Sequence, residues 1–376
     1  MKIIHIFILS AILAISSCNR VTELPSYDVT SFGAVGDTLT DCTEAFNKAI
    51  DECNVTGGRV VVPSGAYLCR TIHLKSNVEL FLEDGSVILG DTDAEHYESF
   101  ISHHDLSRFD SGDGTVNQNN SRDARWNKAL FIADGLENVR IHGNGTIDGR
   151  HVFDPLGEEN MRGPHCIIAA ECSNLSIEGI TITRASNYAV MCYAVSNSEF
   201  RNLNITEGWD GIHIRGGDNI LIDGCNFETG DDSIAGGYWN GFEIRDCSIN
   251  SSCNGIRMIM PCNTLEIHDC SFFGPGRYPH RTSGELRRKN MLFGICLEPG
   301  GWGRAPGDIK NVSIHDCTMS NVSSPVATSI SKDNTAYDLD IRNIVATGVY
   351  GTMSPVVCYN DKGFESISIE NYIIER

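Results

Sequence analysis

Three acidic side chains, Asp210, Asp231 and Asp232, stand in segments that hold the same place in consecutive copies of one repeat. The segments read Glu207-Gly208-Trp209-Asp210-Gly211, Thr229-Gly230-Asp231-Asp232-Ser233 and Cys253-Asn254-Gly255-Ile256-Arg257. Counted from the apolar anchor of each copy (Phe200, Ile222 and Ile244), Asp210, Asp232 and Asn254 each fall ten positions on. If each copy is one coil of a solenoid, these side chains stack at the spacing of neighbouring strands, about 4.8 Å. Carboxylates so close cannot all ionise together, which raises at least one pKa. One protonated and one ionised carboxyl flanking a bond is what glycoside hydrolysis needs, and the protons then belong to the cluster rather than to one residue. The competing reading is a polar ladder along the coil corners, which Asn187 and Asn254 in the same column would suit.

Other side chains gather around this column. His213 lies three residues past Asp210 and shares a position, thirteen after the anchor, with Ala235 and Arg257. It is a candidate substrate contact or a structural histidine. Trp209, Trp239 and Trp302 are candidate platforms for stacking a sugar ring. No Cys-x-x-Cys spacing is present, so neither a zinc site nor any cofactor is expected.

The elements that must position these residues are the coils. Apolar anchors recur at Leu80, Ile141, Ile177, Phe200, Ile222, Ile244, Ile267, Ile314, Ile341 and Ile369. From Ile177 to Ile267 the spacings are 23, 22, 22 and 23 residues, and an Asn often precedes the anchor by two or three. A period of this size marks a solenoid. Val, Ile and Thr alternating with polar residues mark its sides as strands. The expectation is an all-β chain: a single right-handed parallel β-helix of about ten coils over residues 31–376. A helix over residues 42–53 would cap its open end, with Asp41 as N-cap and Glu44 completing a capping box. Two excursions interrupt the repeat. Residues 91–128 read as a polar, solvated loop with His103 and His104. Residues 274–290 carry Arg277, Arg281, Arg287, Arg288 and Lys289.

The remaining features concern address and partners. A formal charge of −20 over 376 residues argues against nucleic acid or an anionic membrane as partner. Lys2 and an apolar run over residues 3–15 read as a signal peptide, too short to span a bilayer. Ile15-Ser16-Ser17-Cys18 resembles a bacterial lipobox, which implies cleavage after residue 17, lipidation of Cys18 and a tether over residues 18–30. The protein would then be an exported, monomeric lipoprotein of the cell envelope (outer membrane or periplasm), touching membrane only through its anchor. Cys225, Cys247, Cys270 and Cys317 each fall three residues after an anchor. They are expected as free, buried thiols stacked inside the coils despite the export signal.

At this point the chain resembles a known family. Phe32-Gly33-Ala34-Val35-Gly36-Asp37 and Val62-Pro63-Ser64-Gly65 look like the start of pectin-lyase-like β-helix proteins. Gly230-Asp231-Asp232-Ser233-Ile234-Ala235 is similar to the Gly-Asp-Asp motif of glycoside hydrolase family 28, the polygalacturonases. The resemblance implies inversion by direct attack of water on a polysaccharide or oligosaccharide. Asp231 would be the general acid, while Asp210 and Asp232 would hold and activate the water. Two departures stand out. Cys253-Asn254-Gly255 replaces the family's Gly-His-Gly, and Cys296 and Glu298 stand where its Arg-x-Lys binds the sugar carboxylate. A glutamate facing a uronate would repel it, so the reactive sugar is expected to be neutral, with Asn254, Arg257, Glu298, Trp209 and Trp302 among its contacts. The alternatives are a polysaccharide lyase or epimerase on the same fold, with calcium on the aspartates and Arg257 or His213 as base, and a non-catalytic sugar-binding protein.

Overall fold

The computed structural model describes residues 24–110, 121–281 and 287–376. The expected signal peptide and Cys18 lie outside the described residues. Strands from Ser26–Asp28 to Ile367–Ile374 pair almost entirely in parallel, each with the equivalent strand one coil away, so the chain winds as a right-handed parallel β-helix.

The anchors form one unbroken ladder. Leu80 pairs with Ile141, Ile141 with Ile177, Ile177 with Phe200, Phe200 with Ile222 and Ile222 with Ile244. Ile244 continues to Ile267, Ile267 to Ile314, Ile314 to Ile341 and Ile341 to Ile369. The 47-residue gap from Ile267 to Ile314 is therefore one coil with an insertion. Every anchor but the last is fully buried, and each contributes roughly 1.5–3 kcal/mol of apolar transfer.

A coil has three sides. Ile212–Asp223 bends at Gly216 (φ 80°), so its two halves lie on different faces, and Asn226–Thr229 supplies the third. Other corners use Asn138, Asn174, Asn197 and Asn219 in the left-handed region, which Asn enters more easily than other non-glycine residues. Their amides bond coil to coil: Asn174 to Asn138 at 3.0 Å and Asn219 to Asn197 at 2.8 Å. The cysteines behave as small apolar groups. Cys225, Cys247, Cys270 and Cys317 are buried, and all fourteen described cysteines are free.

Helix α1, Thr43–Thr56, buries Ala45, Phe46, Ala49, Ile50 and Cys53 against the first coil. It runs three residues beyond the expected end, and its capping differs. Asp41 accepts from the Thr43 N–H at 3.0 Å, but Glu44 turns outward to Lys48 at 2.6 Å, so no capping box forms.

The described part of the excursion over residues 91–128 is not a plain solvated loop. Phe100, Leu106 and Trp126 pack with Tyr188, Met191, Tyr193 and Trp209 into a second apolar cluster on the outside of the coils. The Trp126 indole N–H donates to the Tyr193 hydroxyl at 2.7 Å. His103 and His104 remain exposed.

Candidate active site

The corner between the third face and the first carries Gly230-Asp231-Asp232. A Cβ on Gly230 would lie 2.4 Å from the Gly208 carbonyl oxygen, so only glycine lets the two coils stack there. The hydroxyls of Thr229 and Ser251 donate to the Asp231 carbonyl at 2.9 and 2.8 Å and lock the turn. Ile212, Ile234 and Ile256 lie in register, which stacks Asp210, Asp232 and Asn254 two residues earlier. His213, Ala235 and Arg257 share the next outward position.

The three aspartates are buried, and each offers a carboxylate oxygen within 4.8 Å of the others. Their surroundings differ. Asp210 is pushed well above the ordinary carboxylate range by burial and by Asp231 and Asp232. Asp232 is raised to about 6 by burial and Asp231, against the pull of Arg257 and a bond from Asn254. Burial would raise Asp231 too, but His280, Arg162 and Arg257 outweigh it and hold this carboxyl below its usual range. Arg162 reaches it at 3.2 Å and the His280 ring at 3.5 Å. These surroundings favour a shared proton on Asp210 or Asp232 and the ionised form of Asp231. That order differs from the one the family resemblance implies, and two of the cations behind it, Arg162 and His280, come from outside the repeat.

His213 is held in one tautomer. Arg215 Nε donates to His213 Nε2 at 3.1 Å, so the proton sits on Nδ1 and is donated to Asp210 Oδ2 at 2.7 Å. Tyr188 stacks on the imidazole at 4.8 Å between centroids. Burial and Arg215 push the His213 pKa well below its ordinary value, so the ring is neutral.

On the other flank, Asn254 Nδ2 donates to Asp232 Oδ1 at 2.7 Å. Arg257 lies 3.5 Å from Asp232, pairs closely with Glu298 and sits 5.2 Å over the Trp302 ring. Cys296 is buried and pairs in register with Arg257. Trp302, half-buried, lines the pocket above the aspartates. Trp209 and Trp239 are each only 1% exposed. The Trp209 indole donates to the Ser186 carbonyl, and Arg162 covers its ring at 4.1 Å. Neither buried tryptophan can stack a sugar, and the expectation for Trp209 is corrected accordingly.

Sequence reasoning missed Arg162, Glu158, Arg215 and His280. Arg162 and Glu158 sit in the short connection between the strands Thr146–Asp148 and His165–Ala170, which has no repeat signature. His280 and Arg281 come from the described part of the 274–290 excursion and reach the site: Arg281 lies 5.5 Å from the Trp209 ring and bonds His151 at 2.6 Å. Its run of basic residues was the available signal.

The trio has oxygens placed to grip a cation, and Asp231, Cys253 and His280 form a second set within 4.8 Å. Arg162 and Arg257 already bring positive charge against those carboxylates, which opposes a metal ion there. Among the described residues no helix is long and apolar enough to cross a membrane.

A parallel β-helix with a buried aspartate trio at one coil corner defines a polygalacturonase-like architecture. The family model for rhamnogalacturonase A/epimerase, pectate lyase-like, matches residues 26–257, and the chain belongs to that family, as a polygalacturonase-like member of glycoside hydrolase family 28. It is 26% identical to an exopolygalacturonase of Arabidopsis thaliana, over 80% of this chain and 62% of that one. It is 26% identical to an exo-poly-alpha-D-galacturonosidase of Dickeya chrysanthemi, over 55% of this chain and 41% of that one. The chain thus spans less than two thirds of the length of either relative. The crystal structure of a hyperthermoactive exopolygalacturonase from Thermotoga maritima superposes with a TM-score of 0.65 at 20% identity, over 93% of both chains, and shares the fold.

Proposed function

We propose that this protein is a glycosidase that hydrolyses O-glycosidic bonds of a pectic polysaccharide or its oligosaccharides, with inversion, using Asp210, Asp231 and Asp232. The observation that carries this is three buried carboxyls within 4.8 Å whose surroundings split their proton affinities. A protonated carboxyl donates to the leaving oxygen, and an ionised one activates the attacking water. The electrostatics favour Asp210 or Asp232 as donor and Asp231 as the ionised partner. His213, fixed by Arg215, orients Asp210.

The reactive sugar is neutral in this reading. Arg257, the cation nearest Asp232, is engaged by Glu298, so binding a uronate there would cost it a close ion pair. Export as a lipoprotein through Cys18 belongs to the same proposal, supported by the lipobox-like sequence.

The test is a panel of polygalacturonate, rhamnogalacturonan and galactan oligomers. Release of reducing ends, with an inverted product anomer by NMR, is expected. An ultraviolet-absorbing unsaturated product that disappears with a calcium chelator would mean a lyase instead. Loss of lipid labelling in Cys18→Ser tests the anchor.

A further inference from the structure

Glu158 is a fourth carboxyl in the pocket that holds Asp210, Asp231 and Asp232. It is 5% exposed, and its Oε2 is buried with no hydrogen-bond partner among the described residues. The Arg162 guanidinium stands 3.6 Å away, beyond hydrogen-bond reach, and spends its nearer contacts on Glu159 and Asp231 at 3.0 and 3.2 Å. A buried carboxylate oxygen left without a donor is costly. The turn that presents it is strained as well: Glu159 has a left-handed backbone, with φ of 52°. Such strain persists only where the surroundings enforce it. Here Arg125 grips Asp154 at 2.6 Å, and the Val152 N–H is held by the Ser186 hydroxyl at 2.6 Å.

We propose that Glu158 is a substrate-binding residue whose free oxygen accepts a hydrogen bond from a ring hydroxyl of the sugar held against the aspartates, and that it selects a neutral pyranose over a uronic acid. The charge census agrees. Four carboxyls and three guanidiniums line the pocket, and Glu298 adds a carboxyl through Arg257, leaving no cationic excess for a uronate. Burial also pushes the Glu158 carboxyl above its ordinary range, helped by Glu159 and Asp231 against Arg162 and Arg215. A hydroxyl partner would relieve the unpaired oxygen; a second carboxylate would worsen it.

The inference rests on the hydrolase reading only for its choice of sugars, so it is tested by binding. D-galactose, L-rhamnose and D-galacturonate are titrated into the full-length protein by NMR, for wild type, Glu158→Gln and Glu158→Ala. A neutral sugar should bind wild type more tightly than galacturonate does. That affinity should fall about 10- to 100-fold in Glu158→Ala, the worth of a hydrogen bond to a charged group, and Glu158→Gln, which keeps an acceptor oxygen, should restore most of it. The isosteric Glu158→Gln loses the charge facing Arg162 at 3.6 Å but leaves that guanidinium its nearer partners, Glu159 and Asp231, so it should melt close to wild type. Galacturonate binding tighter than both neutral sugars, or equal affinities in all three proteins, overturns the proposal. So does weakened binding in Glu158→Gln that merely tracks a lower melting temperature. If the panel of oligomers yields no products while these affinities behave as expected, the hydrolase reading fails and the role of Glu158 stands.

Discussion

His213 donates its Nδ1 proton to Asp210 Oδ2 at 2.7 Å while its other nitrogen accepts from Arg215 at 3.1 Å. A fully buried arginine thus sets the tautomer of a histidine, and the histidine sets the orientation of a catalytic candidate. The bond joins a neutral imidazole to a carboxyl held toward its protonated form, so it is worth about 0.5–1.5 kcal/mol. His213→Ala should therefore lower kcat/KM about 2- to 10-fold, and His213→Asn, which retains a donor near the Nδ1 position, should recover part of it. Unchanged steady-state rates for His213→Ala would remove the histidine from the machinery.

Each of Asp210→Asn, Asp231→Asn and Asp232→Asn should cost at least about 10²-fold in kcat, the lower range for a lost general acid or base. Circular dichroism should show the fold unchanged. A fully active Asp231→Asn would exclude the ionised partner from catalysis.

The pH dependence follows from Asp232, raised to about 6 in the folded protein from an ordinary 3.8. Its stabilising effect is complete below the unfolded value and is lost as pH rises through about 6. At pH 8 the folded state bears a buried charge that Asp232→Asn removes. Each tenfold change in proton affinity between folded and unfolded chain is worth about 1.4 kcal/mol, so the variant gains up to about 3 kcal/mol. Denaturant melts should show this gain at pH 8 and none below pH 4. If Asp232 is the proton donor, kcat/KM of the wild type also declines above about pH 6.

Releasing Arg257 should change specificity. Glu298→Gln removes the charged partner from the close ion pair and frees the guanidinium to meet a carboxylate bidentately. The variant should bind galacturonate oligomers more tightly than wild type does, by about tenfold or more in KM. Efficient wild-type release of galacturonate, abolished by Arg257→Ala and untouched by Glu298→Gln, would refute the neutral-sugar reading.

The cysteine column gives a simple chemical check. Of the fourteen described cysteines, Cys358 is exposed and the rest are buried and free. Thiol titration without reductant should find one of these fourteen reacting fast in the native protein and all of them free after denaturation, with Cys18 counted separately. Pairing among Cys225, Cys247, Cys270 and Cys317 would contradict the stacked-thiol core.

The sequence by itself determined the coil. A period of 22 or 23 residues stacks the anchors from Ile177 to Ile267, and the structure pairs all ten anchors in one ladder across the longer spacings as well. The same arithmetic put Asp210, Asp232 and Asn254 in one column and His213 beside Arg257, because position within a repeat becomes position on a solenoid face. What the excursions do carries no period, and only the tertiary structure decided it. Arg162 and Glu158 reach the site from a connection some 70 residues before Asp231, and His280 from an insertion beyond it. The protonation order of the aspartates depends on those cations and on burial, neither of which a linear motif contains. Trp209 and Trp302 look alike as residue types, yet one is sealed beneath Arg162 and the other faces the pocket. Spacing dictates which side chains stack, whereas folding of the loops over the stack dictates which of them meet solvent, charge or substrate.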